Sequence, residues 1–321
     1  NRLAQLPTNI DALSSLRVLN VSSNALVALP EALAAIATLR VLDASTNALR
    51  EIDRVLPSGL CELRLDGNHI ARLPDLRCVP NLESLSAARN ELAELPPSLG
   101  ELRKLKTLDV SDNNLTALPD LSGARALVEV DARSNRIGAL PALPRSPASG
   151  ASGLARLFLG CNAIRAVDGE ALVRSVGPSL AHLGLNDNKL RSLPDVLGAL
   201  GALRLIDVSN NDLSELPGSL GYIRSLSKVL VTGNALRGLR PAIVAAGVSA
   251  VKRYLRTRGP PHAALASKER DDGGEFDEWA LTIEAVASDD PQLSSALRDA
   301  AASGALKLVG RAPPLTAVPR S

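Results

Sequence analysis

The stretch "LRVLNVSSNALVALP", residues 16–30, decides the fold because it sets a polar residue among apolar ones. Leu16, Leu19 and Leu26 are typical core residues, and Asn24 lies between them in the sequence. A buried amide without hydrogen-bond partners costs about 1–3 kcal/mol. Asn24 is therefore either exposed to solvent, or the fold supplies partners for its donors and its acceptor.

Asparagine recurs in this context along most of the chain, at steps of 21 to 27 residues. Each asparagine is followed two positions later by Leu or Ile, and each one after the first is preceded by a Leu eight positions earlier. The set comprises Asn1, Asn24, Asn47, Asn68, Asn90, Asn113, Asn135, Asn162, Asn188, Asn211 and Asn234. Self-similarity at such a period is the signature of a solenoid, in which each repeat packs on its neighbours.

The shared pattern, L-x-x-L-x-L-x-x-N-x-L, is identified as the leucine-rich repeat. We expect a curved α/β horseshoe with a parallel concave sheet of about ten short strands, a convex side of helices and turns, and a C-terminal capping helix. The asparagines from Asn24 to Asn234 are predicted to form a structural ladder, in which each amide bonds the backbone of the turn after a strand.

Composition supports a core of many similar small layers. The chain of 321 residues is 45% hydrophobic but only 2% aromatic, and it contains no Met. Its net charge of +2 gives no general attraction to nucleic acid, and no apolar run long enough for membrane insertion is present. Cys61, Cys78 and Cys161 are irregularly spaced, which argues against disulfides and zinc and favours a reducing compartment. We expect no cofactor and no metal ion.

The pattern divides the chain into four predicted regions. Residues 1–240 hold ten to eleven repeats, the first of them truncated, and residues 241–258 read as one capping helix. Residues 259–275 resemble a flexible acidic linker. Residues 276–321 are predicted to hold a short helix and the start of a second repeat block.

Two consecutive repeats are longer than the others, with steps of 27 and 26 residues. Residues 141–153, "PALPRSPASGASG", predict a loop on the outer side of the coil, because Pro, Ser and Gly dominate them. Residues 168–180, "DGEALVRSVGPSL", predict one or two helical turns in the next repeat. The prolines of the first segment also fit a weak SH3-ligand pattern.

The segment after the last repeat, "GNALRGLRPAIVAAGVSAVKRYLRTR", residues 233–258, resembles that of intracellular leucine-rich repeat proteins. This broad class includes Ras-pathway scaffolds and plant Ras-group-related proteins, and the resemblance covers roughly residues 16–258. It implies a non-enzymatic scaffold in intracellular signalling, located in the cytoplasm or also in the nucleus. It also implies two repeat blocks separated by a helix and a linker.

Outward-facing strand residues are the candidates for binding, because side chains alternate between the two faces of a strand. In the position four residues before each asparagine, acidic residues concentrate in the middle of the chain next to a rare aromatic residue. The predicted contacts on the concave face are Asp43, Arg64, Asp109, Asp131, Phe158, Asp207 and Leu230. An exposed aromatic flanked by charges favours a protein partner, whereas a merely solvated face is the simpler alternative.

The sequence therefore predicts a monomeric scaffold that binds a protein partner and has no catalytic residues. The alternative is a recognition arm of a larger ubiquitin ligase, GTPase or kinase. The last cysteine, Cys161, lies within a repeat, so a thiol-dependent ligase would need a further domain. The chain also contains no phosphate-binding or kinase motif, and it lacks the clustered cysteines that usually cap extracellular solenoids.

Overall fold

Ten short strands form one parallel sheet in which each strand pairs with the next along the chain. The computed structural model describes residues 2–52, 56–146 and 153–262. The predicted linker from residue 263 onward and the region 276–321 lie outside these described residues. The strands are β1 Val18–Asn20, β2 Val41–Asp43, β3 Glu62–Arg64, β4 Ser84–Ser86, β5 Thr107–Asp109, β6 Glu129–Asp131, β7 Arg156–Phe158, β8 His182–Gly184, β9 Leu205–Asp207 and β10 Lys228–Leu230.

The core lies behind this sheet, because the middle residue of each strand points inward. In-register pairing places Leu42, Leu63 and Leu85 side by side, and each of them is at most 1% exposed. The first and third residues of every strand face the other way. The prediction of a parallel-sheet repeat solenoid is confirmed.

The convex side consists of short helices and turns that return the chain to the next strand. Its 3₁₀ helices are Ile10–Ala12, Glu31–Ala35, Leu76–Cys78, Pro97–Glu101, Asp195–Ala199 and Gly218–Tyr222. The one α-helix within the described repeats, α1, is Gly169–Val176, where the long repeat predicts helical turns. Asp168 caps this helix by accepting a hydrogen bond from the backbone N–H of Ala171 at 3.0 Å.

Asparagine side chains join successive turns at the end of the strands. The Asn113 amide donates from Nδ2 to Val110 O and Ser111 O of its own repeat and to Ala87 O of the preceding one, at 2.9–3.1 Å. Its Oδ1 accepts from the N–H of Leu92, also in the preceding repeat, at 3.0 Å. Each interior asparagine of the set repeats this pattern, so the polar groups that interrupt the core satisfy one another.

The residue before each ladder asparagine has a left-handed backbone. Ten such positions have φ between 53° and 76°, and eight of them are not glycine. Thr46, before Asn47, is β-branched and has φ 54°. A non-glycine residue adopts this conformation only at a cost of roughly 1–2 kcal/mol, so the ladder's hydrogen bonds hold the turn in a shape that the local sequence does not prefer.

The segment predicted as a single capping helix is instead two helices, α2 Pro241–Ala245 and α3 Val248–Arg256. Gly247, with φ 94°, separates them, because a left-handed residue cannot continue a right-handed helix. Helix α3 covers the last repeat with Val251 and Leu255, which are 2% and 1% exposed.

Lys252 in α3 replaces a hydroxyl that would belong to a further repeat. Thr38 Oγ1 donates to Ser14 O and Leu16 O of the preceding repeat, at 2.8 and 2.9 Å. Lys252 Nζ donates to the equivalent carbonyls of the tenth repeat, Arg224 O at 3.3 Å and Leu226 O at 3.4 Å. Burial, and to a lesser extent the charge of Arg256, lower the pKa of Lys252. The cap therefore forms the hydrogen bonds of a missing neighbour.

Replacing Asn113 by Ala should lower the free energy of unfolding by about 1–3 kcal/mol, because it leaves the buried N–H of Leu92 without an acceptor. Urea unfolding followed by circular dichroism measures this change. Asn114→Ala is the matched control, since the Asn114 side chain forms no hydrogen bond with a described residue. Equal losses from the two variants would contradict the ladder.

Replacing Leu255 by Ala should cost about 2–5 kcal/mol by leaving a cavity under the cap. Because each repeat contacts only its neighbours, amide hydrogen exchange should accelerate more in β10 than in β2. Arg253→Ala, at an exposed position of the same helix, should change neither the free energy of unfolding nor the exchange rates. Uniform acceleration throughout the sheet would show that the cap acts globally rather than on the last repeats.

Candidate protein-binding surface on the concave face

The concave face consists of three rows of outward side chains, supplied by the first and third residues of each strand and by the second residue after it. In β5 these are Thr107, Asp109 and Ser111. Parallel strands about 4.8 Å apart carry the rows across about 43 Å. The face is therefore long enough to contact an extended protein segment.

Carboxylates on this face are held in place by serines two residues later. Asp43 Oδ1 accepts from Ser45 N at 3.0 Å and from Ser45 Oγ at 2.7 Å. Asp109 and Ser111 repeat both distances. Such local bonds fix the direction of each carboxylate, so the acidic side chains are oriented before any partner arrives.

Two carboxylates near the middle of the face form no ion pair with a described residue. Asp66 Oδ1 accepts from Ser86 Oγ at 2.5 Å and from Ala88 N at 2.9 Å. Asp109 is half-buried, and burial is the main cause that raises its pKa, with smaller contributions from the charges of Asp131 and Asp66. Strands β3–β6 enclose a hollow of about 290 Å³ lined by Asp109 and Asp131.

The other acidic groups of the middle strands are paired with arginines. Arg64 Nη2 lies 2.5 Å from Glu62 Oε1. Arg156 bonds Glu129 Oε2 through Nε at 2.9 Å and Nη2 at 2.5 Å. The acidic character that the sequence predicts is therefore partly neutralised, and it concentrates on the carboxylates without an arginine.

Arg133 contacts both the buried carboxylate of Asp131 and the aromatic ring of Phe158. Asp131 is only 8% exposed, and Arg133 binds it with Nε at 2.9 and 3.0 Å and with Nη2 at 2.5 Å. These hydrogen bonds to Asp131 raise the pKa of the guanidinium. The same guanidinium lies over the ring of Phe158, 5.6 Å from its centroid, within the range of a cation–π contact.

Gly184 gives the ring of Phe158 its position. Strand β8 places Gly184 directly beside Phe158 in register, and a Cβ atom there would lie 3.1 Å from Phe158 Cδ1. The ring thus lies against backbone on one side and near Arg133 on another. We name Asp131, Arg133, Phe158 and Gly184 the aromatic platform.

The structure brings together four of the seven predicted contact residues. Asp109, Asp131 and Phe158 are direct register partners on β5, β6 and β7. Arg64, on β3, lines the same hollow as Asp109 and Asp131. Asp43 is the register partner of Arg64, and Asp207 and Leu230 are register partners on β9 and β10. The prediction missed Asp66, Arg133 and Gly184, although all three stand at outward positions of the repeat pattern.

The described residues offer no alternative site based on metal chemistry. No group of three or more His, Cys, Asp or Glu among them could hold a metal ion. His69 instead contacts Glu91 at 3.0 Å, and Cys61, Cys78 and Cys161 are free thiols. Within the same described ranges, no helix is long and apolar enough to cross a membrane.

Two sequence profiles match the chain. The profile "Leucine rich repeat" covers residues 152–213, and "Leucine Rich repeats (2 copies)" covers residues 80–123. The chain contains leucine-rich repeats. Proteins built on these repeats are typically non-catalytic modules that bind other proteins, and the concave aromatic platform lies on such a repeat sheet.

Curated proteins with similar repeats are longer than the aligned part. Human "Leucine-rich repeats and immunoglobulin-like domains protein 3" is 33% identical over 150 residues, which cover 46% of this chain and 13% of that protein. Rat "Leucine-rich repeat-containing G-protein coupled receptor 5" is 34% identical over 145 residues, 44% of this chain and 15% of the receptor. The leucine-rich repeat chain thus spans less than a fifth of either relative.

Solved leucine-rich repeat structures share the fold. A repeat protein of Leptospira interrogans superposes with a TM-score of 0.68 at 23% identity, over 82% of this chain and 70% of that one. The plant peptide hormone receptor RGFR1, in complex with RGF2, gives a TM-score of 0.61 at 28% identity, over 73% of this chain and 38% of the receptor.

Replacing Asp109 by Asn should raise the free energy of unfolding at pH 7. Because burial raises the folded-state pKa above the ordinary value of 3.8, ionisation of Asp109 opposes folding at pH values above the folded pKa. The gain should be at most about 1 kcal/mol, since solvent screens this half-exposed group. It should vanish below the ordinary pKa, where both side chains are neutral.

Urea unfolding of the two proteins from pH 3 to pH 7 measures this difference. Asn retains an oxygen that can accept the hydrogen bonds from Ser111, so the comparison isolates the charge. A loss of stability at pH 7 would show that the bonds from Ser111 favour the ionised carboxylate more than burial opposes it.

Proposed function

We propose that this chain is a non-catalytic scaffold that binds a protein partner through its concave face. The observation that carries the proposal is the aromatic platform beside Asp66 and Asp109, two oriented carboxylates that form no ion pair with a described residue. Aromatic and arginine side chains dominate the energetic centres of protein interfaces. Here both are held in place before binding, which reduces the entropy lost on association.

The partner surface that fits this arrangement carries an apolar or aromatic side chain for Phe158 and a basic side chain for the hollow between β3 and β6. A basic group would form the ion pair that Asp109 lacks and relieve the mutual repulsion of its neighbours. The similar plant peptide hormone receptor RGFR1 was solved in complex with RGF2, which supports a polypeptide as the partner. Of the remaining predicted contacts, Arg64 lines the hollow, and Asp43, Asp207 and Leu230 would form the ends of the interface.

We further propose that the chain acts as a monomer in intracellular signalling, in the cytoplasm or also in the nucleus. Three free thiols agree with a reducing compartment. The segment after the repeats resembles that of leucine-rich repeat-containing protein 40, an intracellular protein. The recognition arm of a larger enzyme stays the alternative hypothesis.

Affinity capture from cell lysate with the 321-residue chain tests the binding face. Proteins retained by the unaltered chain should be lost when Asp109→Lys and Phe158→Ala are combined, because the variant removes the aromatic ring and inverts the charge beside it. Loss of either contact typically weakens an interface centre by 2 kcal/mol or more, about thirtyfold. Mass spectrometry compares the captured sets.

The matched control combines Asp195→Lys and Leu13→Ala, which make the same two kinds of change at exposed convex positions. This control should retain the partners of the unaltered chain. Identical captured sets from all three proteins would overturn the concave-face proposal. Circular dichroism verifies that each variant is folded.

A further inference from the structure

A cleft of about 800 Å³ opens on the convex side, away from the concave sheet. One wall is the return segment 140–146, and another is helix α1. Both belong to the two long repeats, whose steps of 27 and 26 residues exceed the 21–23 of the others. The cleft therefore lies where the chain departs from the regular repeat length.

The walls of the cleft are fastened to each other. Ser146 N donates to Ser175 O of α1 at 2.6 Å. The hydroxyls of Ser146 and Ser179 lie 2.7 Å apart, and Ser179 Oγ in turn donates to Leu154 O at 2.8 Å. These bonds hold the return segment against the helix and fix these two walls of the cleft relative to each other.

Three arginines from three different segments line this cleft: Arg125, Arg145 and Arg174. All three are exposed, and none forms an ion pair with a residue that the structure describes. Elsewhere on the convex side, Arg77 is paired with Asp75 at 3.2 Å and with Glu101 at 2.8 Å. The cleft therefore gathers three cations that form no ion pair with a described residue, against one carboxylate, Asp168.

The rest of the lining suits an acidic and partly apolar ligand. Asp168 is the one acidic residue there among the described residues, and its Oδ1 is engaged by the N–H of Ala171 as the cap of α1. Leu140, Leu143 and Leu172 supply apolar surface. The volume lies within the range of ligand sites, about 300–1,000 Å³.

We propose that this cleft binds an acidic polypeptide segment, with its carboxylates on the three arginines and an apolar side chain on the leucines between them. Guanidinium groups bind carboxylates with two parallel hydrogen bonds, and arginine clusters are a recurring device for recognising acidic motifs. The described lining contains no aromatic side chain on which a nucleobase could stack, and the concave shape of the cleft does not fit a flat membrane surface. The chain then holds two binding surfaces of opposite charge preference, on opposite sides of the solenoid.

Fluorescence anisotropy with the 321-residue chain tests this proposal. The probe is a short fluorescein-labelled peptide rich in glutamate that contains two leucines. Combining Arg125→Ala, Arg145→Ala and Arg174→Ala should raise its Kd at least tenfold. The control triple, Arg103→Ala, Arg165→Ala and Arg191→Ala, removes the same charge at exposed positions outside the cleft and should leave Kd within about twofold.

Two further peptides separate the contribution of the apolar side chains to binding from that of the carboxylates. A peptide with serine in place of leucine should bind several-fold more weakly, and one with lysine in place of glutamate should not bind. Equal weakening by the two triple variants would overturn the proposal in favour of general charge attraction, and absence of binding to the unaltered chain would overturn it directly. The concave variant Asp109→Lys with Phe158→Ala should bind the acidic probe as well as the unaltered chain does, which keeps this test independent of the concave-face proposal.

Discussion

The structure depends on one hydrogen-bonded unit, the asparagine that joins each turn to the turn before it. A strand of three residues forms too few ladder bonds to fix the direction of the chain, and the turn that follows leaves backbone donors and acceptors inside the coil. Asn113 satisfies carbonyls of two repeats and the N–H of Leu92 at once. Since the same amide serves both partners, turn geometry and repeat stacking cannot form independently. Folding of each repeat therefore requires its neighbour.

Because the asparagine ladder fixes the backbone, the outward residues of the concave face are not needed for folding and are available for binding. The inward residues and the asparagines carry the stability, and consequently outward positions vary without altering the backbone. Their side chains differ from strand to strand: aspartates oriented by serines, arginine–glutamate pairs, and a phenylalanine resting on glycine. Rigid presentation of such side chains lowers the entropy cost of binding. The long repeats add a second means of variation, because their extra residues extend the convex side while the sheet register stays unchanged.

The fold was predictable from the sequence because the period, the leucines and the asparagines report the same geometry in every repeat. Site chemistry was only partly predictable. The row containing Asp109, Asp131 and Phe158 follows from spacing alone, whereas the contact of Arg133 with Phe158 depends on side-chain conformations across a repeat boundary. Likewise, the residue type at Thr46 does not predict a left-handed backbone, because the ladder imposes it on a β-branched residue. The break at Gly247 was visible as a glycine, but the apolar spacing of the following residues favoured one continuous helix.

The cap contacts the last repeat in a way that bears on how such proteins change length. Lys252 bonds two backbone carbonyls, and every repeat presents carbonyls at those positions whatever its side chains are. Duplication or deletion of a whole repeat before the cap would thus preserve these two bonds. Close packing of α3 also needs a glycine in the repeat beneath it, because a Cβ atom at Gly221 would lie 2.7 Å from Lys252 O and 3.0 Å from Leu255 Cβ. Recombination that keeps such a glycine-containing repeat beside α3 would therefore lengthen or shorten the binding surface in units of one strand while the cap contacts stay the same.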